Sequence, residues 1–109
     1  MTVKENGGKV NITMTRGDSE SITVRCSVPF EDGDTVYFTV REDPESEISL
    51  QKIIEDFPDG EAVIPLYPED TEGMDFGSYV YDIQVTRAND TVTTLIMPSR
   101  FKLTEEVTY

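Results

Sequence analysis

Residues that could carry out covalent or acid–base chemistry are scarce in this sequence. Its 109 residues include one cysteine, Cys26, and no histidine. The commonest general base, the commonest metal ligand and the usual activator of a cysteine nucleophile are therefore missing. Cys26 continues an alternation of apolar and polar residues. We therefore expect it to be a small buried side chain, and a single cysteine allows no intrachain disulfide.

Carboxylates are the remaining candidates for chemistry, because 22 residues are acidic. They cluster at residues 32–34, 42–47 and 69–75. Paired carboxylates could act as acid and base in a hydrolase, and Asp32 with Asp34 beside the third cluster could bind calcium. None of the clusters has the ligand spacing of an EF-hand loop, and solvated turns also explain them. We expect no catalytic residues, no cofactor and no metal site.

The segment Arg16-Gly17-Asp18 spells the tripeptide that integrins recognise. Glycine followed by aspartate is also ordinary turn composition, because both residues tolerate the backbone angles of tight turns. We interpret this segment as a turn between two strands.

The charge balance limits the classes of partner. Nine basic residues oppose 22 acidic ones, which gives a net charge of −13. Nucleic acids and anionic membrane surfaces attract Lys and Arg, so neither is an expected partner, whereas a cationic partner stays open. No apolar run approaches the ~20 residues of a membrane span, and the N-terminus has no apolar signal core. We expect a protein that is made and kept in a cytoplasm until it joins an assembly.

Short stretches of alternating apolar and polar residues dominate the chain, and turn-forming residues separate them. They predict strands at residues 10–14, 22–28, 35–41, 50–54, 62–66, 79–86 and 91–97, with residues 101–103 continuing the last strand beyond an interruption at Pro98-Ser99. Pro65 places its strand at a sheet edge, and residues 68–74 predict one short helical turn. The pattern indicates one all-β domain over residues 9–104, a loose arm at 1–8 and a frayed tail at 105–109.

Two residue patterns suggest the type of sandwich. Asp75-x-Gly77-x-Tyr79 resembles the tyrosine corner of immunoglobulin-type domains, in which the tyrosine hydroxyl bonds to backbone a few residues upstream. Cys26, Phe38 and Tyr81 follow the spacing of the cysteine, tryptophan and cysteine of that framework. We therefore predict an immunoglobulin-like antiparallel β-sandwich of seven to eight strands without a disulfide. Its core would contain Cys26, Phe38, Tyr79 and Tyr81.

Outward apolar residues indicate contact surfaces. Alternation places Tyr37 and Val80 opposite the core-facing residues of their strands. The hairpin at residues 88–97 adds Thr93 and Leu95, so these four residues form the predicted protein interface. Unpaired sandwich edges also invite strand addition, with the last strand and residues 1–8 as the elements to be exchanged.

A carbohydrate- or cell-surface-binding module is the alternative function. Its aromatic platform would use Tyr37, with Tyr67 and Tyr109 as further candidates. The chain contains no tryptophan, the aromatic residue with the largest stacking surface, which disfavours this alternative.

Nearly the whole chain, residues 9–106, resembles small structural proteins of tailed bacteriophages and prophages. It is also similar to the N-terminal domain of phage baseplate upper proteins. The resemblance lies in residues 12–18, 34–41, 68–71 and 77–84, and its strongest pieces are the Thr-Arg-Gly-Asp turn and the Gly-x-Tyr-x-Tyr-Asp-Ile-Gln strand.

This resemblance implies a non-enzymatic virion module of the tail, baseplate or decoration type. Such a module acts through protein–protein contacts with other virion proteins and further copies of itself, without a cofactor. It resides in the cytoplasm of the host bacterium before assembly and in the virion afterwards. The chain lacks the distal receptor-binding part of baseplate upper proteins, which favours an adaptor or decoration role over host attachment.

Overall fold

The computed structural model describes residues 1–4 and 8–105, and these residues contain eight β-strands, one short α-helix and one 3-10 turn. The strands are β1 (Thr2–Lys4), β2 (Ile12–Thr15), β3 (Glu20–Arg25), β4 (Thr35–Arg41), β5 (Ile48–Ile54), β6 (Ala62–Leu66), β7 (Gly77–Thr86) and β8 (Val92–Thr104). The 3-10 turn spans Pro58–Gly60, and α1 spans Pro68–Glu72. The prediction of an all-β sandwich of seven to eight strands without a disulfide is confirmed.

The strands form two sheets, one with the order β1-β3-β6 and one with the order β2-β8-β7-β4-β5. Most neighbours are antiparallel, but β1 runs parallel to β3 and β2 runs parallel to β8. The N-terminal segment thus adds one strand to each sheet, which makes the sandwich mixed where the sequence predicts an antiparallel one. Pro65 lies on β6, which is an edge strand as expected.

The expectation of a loose arm at residues 1–8 is wrong for β1. Thr2, Val3 and Lys4 pair with β3, and Val3 is 3% exposed. The ammonium group of Met1 donates to the carbonyl of Ser21 over 2.9 Å. A three-residue strand with one apolar side chain is too short to show alternation in the sequence. It forms because pairing with β3 holds it in place. Residues 5–7 and 106–109, the rest of the arm and nearly all of the tail, lie outside the described residues.

β8 continues through Pro98 and Ser99, where the sequence predicts an interruption. Its register with β7 shifts between Tyr81 and Gln84, so the proline sits beside an irregular part of the ladder. A residue without an N–H is tolerated at such a bulge. The Ser99 hydroxyl accepts a hydrogen bond from the Val10 N–H over 3.0 Å and donates to the Met97 carbonyl over 2.7 Å.

Three aromatic rings occupy the centre of the core between the sheets. The ring centroids of Phe38 and Tyr81 are 5.4 Å apart, and those of Phe101 lie 6.1 and 6.3 Å from them. These separations suit tilted and edge-on aromatic pairs. The buried Tyr81 hydroxyl donates to the Val10 carbonyl, so burial leaves no polar atom of this ring unsatisfied.

Cys26 corrects the predicted core. It follows the last residue of β3 and is half-exposed, and its thiol accepts an N–H from the Arg87 guanidinium over 3.4 Å. β3 ends at Arg25, earlier than the predicted residue 28, because the chain turns away before Pro29. Cys26 therefore packs at the rim of the core, and Phe38, Tyr79 and Tyr81 lie inside it.

The expected tyrosine corner is present at the start of β7. The Tyr79 hydroxyl donates to the carbonyl of Asp75 over 2.9 Å. This bond ties the β7 entry to the segment that leaves α1, so it fixes how the chain passes from one sheet to the other.

Candidate functional site

The outward surface of the five-stranded sheet, called the outer face below, carries the predicted contact residues Tyr37 and Val80. Strand registers place the outward side chains of neighbouring strands side by side. The outer face consists of Thr13 and Thr15 of β2, Ile48, Gln51 and Ile53 of β5, every second residue of β4 from Thr35 to Arg41, every second residue of β7 from Ser78 to Thr86, and Val92, Thr94, Arg100 and Lys102 of β8.

The outer face is poor in acidic residues. Asp82 is the one acid among the outward positions of these described strands, whereas Arg41, Arg100 and Lys102 are basic. The chain as a whole has 22 acidic and 9 basic residues. Most acids of the described residues lie in loops, turns and α1, and Glu42 of the loop after β4 borders this face near Arg100. The contact surfaces of proteins are depleted in Asp and Glu at their centres, and this face has that composition.

Apolar side chains lie on the same face. Ile48 and Ile53 of β5 are 45% and 52% exposed. Tyr37 is half-buried beside Ile53 in the sheet register, and Val80 is half-buried beside Arg41. The face therefore offers an aromatic and several aliphatic groups within a frame of threonine, glutamine and arginine.

A small cavity opens at the centre of the outer face, with a volume of about 90 Å³. Thr39, Val80, Asp82 and Pro98 line it from the sheet, and Pro44 lines it from the loop after β4. Pockets that enclose small-molecule ligands usually measure ~300–1,000 Å³, so this one is too small to enclose a sugar ring or a cofactor. Burial raises the pKa of Asp82 above its ordinary value, and the nearby charge of Arg41 opposes that rise.

Leu95 is a correction to the predicted interface, because it is fully buried. A register shift between Ile83 and Gln84 turns both Leu95 and Ile96 inward, which strict alternation does not anticipate. Thr93 is exposed, but it pairs with the inward residue Val85 and therefore does not lie on the outer face with Tyr37 and Val80. β2 pairs with β8 only over residues 101–104, so within the described residues no strand lies beside the first part of β8 on that side, and exchange of the last strand with a partner stays a prediction.

A buried ion pair that the sequence did not reveal fixes one end of the sandwich. Asp34 is 4% exposed, and its carboxylate accepts a hydrogen bond from the Arg87 guanidinium over 2.8 Å. It also accepts the backbone N–H groups of Glu31 and Ala88 over 2.9 and 3.0 Å. Burial favours the neutral acid, but these hydrogen bonds and the Arg87 charge outweigh it and hold the pKa of Asp34 below its ordinary value.

This arrangement changes the interpretation of the acidic cluster at residues 32–34. The Asp34 carboxylate is already engaged by protein donors, so it is not available as half of a calcium site. The sequence contains no signal for this ion pair, because the pair depends on β4 and β7 being neighbours. β4 and β7 pair Thr35 with Thr86, and an acid immediately before one strand therefore meets a base immediately after the other. In the part of the chain that the structure describes, no three acidic or thiol groups come together at a point that could hold a metal ion.

The Arg16-Gly17-Asp18 segment forms a turn that faces the protein. The Gly17 N–H donates to the Thr71 hydroxyl of α1 over 2.8 Å, and Arg16 donates to the Met74 carbonyl over 3.2 Å. The Arg16 guanidinium also lies 4.0 Å from the centre of the Phe76 ring. The arginine thus joins β2 to the segment that follows α1, which supports the turn interpretation.

The aromatic candidates for a carbohydrate platform are on different surfaces. Tyr37 lies on the outer face of β4. Tyr67 lies at the start of α1, where the Lys52 ammonium sits 5.0 Å from its ring centre, and Lys52 pairs with the core residue Phe38 on the inward side of β5. Tyr109 is outside the described residues. The structure therefore does not assemble Tyr37 and Tyr67 into one platform.

Comparisons with known proteins give no relative: neither a scan against family models nor a search of curated proteins finds a match. Within residues 1–4 and 8–105, no helix is long and apolar enough to cross a membrane. The geometry of the outer face is therefore the main structural indication of function.

Proposed function

We propose that the protein is a non-enzymatic structural module of a tailed-phage or prophage virion. It docks onto another virion protein through the outer face, and it uses no cofactor, nucleic acid or membrane in doing so. The carrying observation is the segregation of charge: an acid-poor sheet face, with three bases and one acid, on a chain of net charge −13.

The composition of the outer face indicates the chemistry of its partner. Arg100 and Lys102 follow each other on the outward side of β8, and Val80 and Ser78 are their neighbours on β7. A partner surface with acidic side chains opposite these bases and apolar groups opposite Tyr37, Val80 and Ile53 would complement it. A virion protein with such a patch is the proposed occupant, and a second copy of this chain is an alternative outcome of the test.

The elements that carry the resemblance to phage proteins support the proposal in a second way. The Thr-Arg-Gly-Asp turn docks against α1, and the strand that starts at Gly77 carries the tyrosine corner. Both segments have structural contacts, and neither brings together a nucleophile and a base. We also propose that the sandwich is of the immunoglobulin type, on the basis of this corner and of the strand order β8-β7-β4-β5 opposite β3-β6.

Particle fractionation tests the function. Lysates from an induced strain that encodes the protein are separated on a density gradient, and each fraction is probed with an antibody against it. We expect the protein in the particle band, at a fixed ratio to the major virion proteins and resistant to a salt wash. If it stays with free proteins while intact particles band normally, the proposal is wrong. A chain that sediments as a discrete oligomer outside particles would identify a second copy as the occupant.

A further inference from the structure

The strand β5 forms a long open edge of the sandwich. β5 pairs with β4 on one side, and on its other side no strand of the described residues pairs with it. Its seven residues extend over about 23 Å. In an antiparallel pair, alternate residues direct their N–H and C=O groups away from the neighbour, so β5 presents unpaired backbone donors and acceptors along its length.

The other sheet edges are less suitable for a partner strand. β1 and β2 have three and four residues. β2 covers only residues 101–104 of β8, and the uncovered part of β8 offers five residues, 92–96, and contains Pro98 two residues later. β6 has five, and Pro65 removes one of its N–H groups. β5 is therefore the edge with the longest set of backbone groups and without a proline.

Side chains along β5 suit an apolar partner. Ile48 and Ile53 are about half-exposed on the outer face. Leu50 and Ile54 are partly exposed on the inward side, where they pack against the core. An added strand would cover both pairs, because its side chains alternate between the two sides in the same way.

Charges at the two ends of β5 disfavour in-register pairing with a second copy and favour a basic partner. Glu47 precedes the strand and Glu55 follows it, and both are exposed. Antiparallel self-pairing centred on Gln51 would place Glu47 of one copy opposite Glu55 of the other at both ends. Parallel self-pairing in register would place each glutamate opposite itself, and like charges directly opposite are destabilising in sheets.

We propose that β5 is a docking edge for an extended segment of another protein, which pairs with Ile48–Ile54 as an additional strand. The segment carries alternating apolar side chains over about seven residues and basic residues at both ends. This contact differs from the one proposed for the outer face, whose partner surface is acidic. It rests on the proposed function only in that its partner is a protein.

Lys52 disfavours pairing of this edge with arbitrary strands. It faces inward from β5, and its ammonium pairs with Asp70 of α1 over 2.8 Å. Inward charges on edge strands and bulges disfavour flat edge-to-edge stacking, and the β4–β5 register also shifts between Val40 and Arg41. The glutamates at the two ends of β5 then attract a strand with basic ends and repel a strand with acidic ends.

Peptide binding to the full-length protein tests the proposal. The probe is a synthetic peptide of seven alternating valine and threonine residues with two lysines at each end, and its counterpart carries glutamates at the ends. Amide hydrogen exchange locates the contact. With the lysine peptide, the exposed amides of Ile48–Ile54 should slow by about tenfold or more, and with the glutamate peptide they should not change.

A charge reversal with a matched control completes the test. In Glu47→Lys/Glu55→Lys, the lysine peptide should bind about tenfold more weakly and the glutamate peptide should gain affinity. The control Glu69→Lys/Glu72→Lys changes the net charge equally on exposed positions of α1 and should bind like wild type. Equal binding of both peptides, an equal loss in the control, or protection at β2 or β6 would overturn the proposal. None of these results depends on whether the protein is found in particles.

Discussion

Replacing Asp34 with alanine should destabilise the sandwich by about 3 kcal/mol. Asp34 is almost fully buried and holds one guanidinium and two backbone N–H groups. Removing one member of a buried ion pair costs ~3–5 kcal/mol, because the other charge is left without a partner. The Arg87 side chain is 21% exposed, so water can partly rehydrate its guanidinium. We therefore place the effect at the lower end of that range.

Urea unfolding followed by tyrosine fluorescence measures this loss, since the chain has five tyrosines and no tryptophan. At the size of this domain, about 3 kcal/mol corresponds to a melting temperature lower by roughly 12 °C. The matched control is Asp32→Ala, which removes an exposed acid from the same turn and should change stability by less than about 0.5 kcal/mol. If both variants lose the same small amount, the Asp34–Arg87 pair does not stabilise the fold as argued.

The pH dependence of the same pair gives an independent check. The pKa of Asp34 is lower in the folded protein than the unfolded value of about 3.9. Its contribution to stability is therefore fully present above that value and is lost as the pH falls through the folded pKa. The stability difference between wild type and Asp34→Ala should stay constant from pH 7 to about 5 and should shrink below about pH 4. A difference that is unchanged at pH 3 would contradict this explanation.

Three further predictions concern the core. Tyr81→Phe removes the hydroxyl that donates to Val10 and should cost about 1 kcal/mol at pH 7 in urea unfolding. Burial raises the pKa of Tyr81 to about 12, so the free energy of unfolding of the wild type should fall between about pH 10 and 12. Tyr81→Phe should lose less stability over that range, and equal losses in the two proteins would contradict this. Tyr79→Phe breaks the tyrosine corner and should also cost about 1 kcal/mol, and an unchanged midpoint would show that the corner does not stabilise the fold. Leu95→Ala should lower the free energy of unfolding by ~2–5 kcal/mol, whereas Thr93→Ala should change it by less than about 0.5 kcal/mol. A larger loss for Thr93→Ala than for Leu95→Ala would contradict the burial of Leu95.

The strongly alternating strands could be predicted from sequence. β4 and β6 begin and end where the pattern predicts, because each alternates regularly between two turn signals. The tyrosine corner was also predictable, since Asp75, Gly77 and Tyr79 form a local pattern whose hydrogen bond spans four residues. Local patterns of this kind depend little on which strands later become neighbours.

Features that depend on strand neighbours were harder to predict. β1 owes its place to pairing with β3, and Leu95 owes its burial to a bulge opposite β7. Asp34 and Arg87 are 53 positions apart and meet only because β4 and β7 are adjacent. The sequence alone could identify neither the partner strand nor the register shift.

The outer face was predictable in part, because its outward residues follow from local alternation but its composition depends on strand neighbours. Alternation identified Tyr37 and Val80 as outward residues, and each strand separately shows few outward acids. The acid-poor surface becomes apparent only when the sheet order places β5, β4, β7 and β8 side by side. This explains why the sequence indicated contact residues without indicating the composition of the surface around them.

Incorporation of two valine variants into particles tests the central claim most directly. Val80→Glu adds an acid to the outer face, and Val63→Glu adds the same acid to an exposed position on the opposite sheet. Urea unfolding confirms that both are folded before they are supplied in place of wild type. We predict about tenfold less Val80→Glu in purified particles and wild-type amounts of Val63→Glu, because a glutamate beside Arg41 and Arg100 neutralises these bases and repels the acidic side chains of the proposed partner. Equal incorporation of the two variants would contradict the assignment of the outer face as the docking surface.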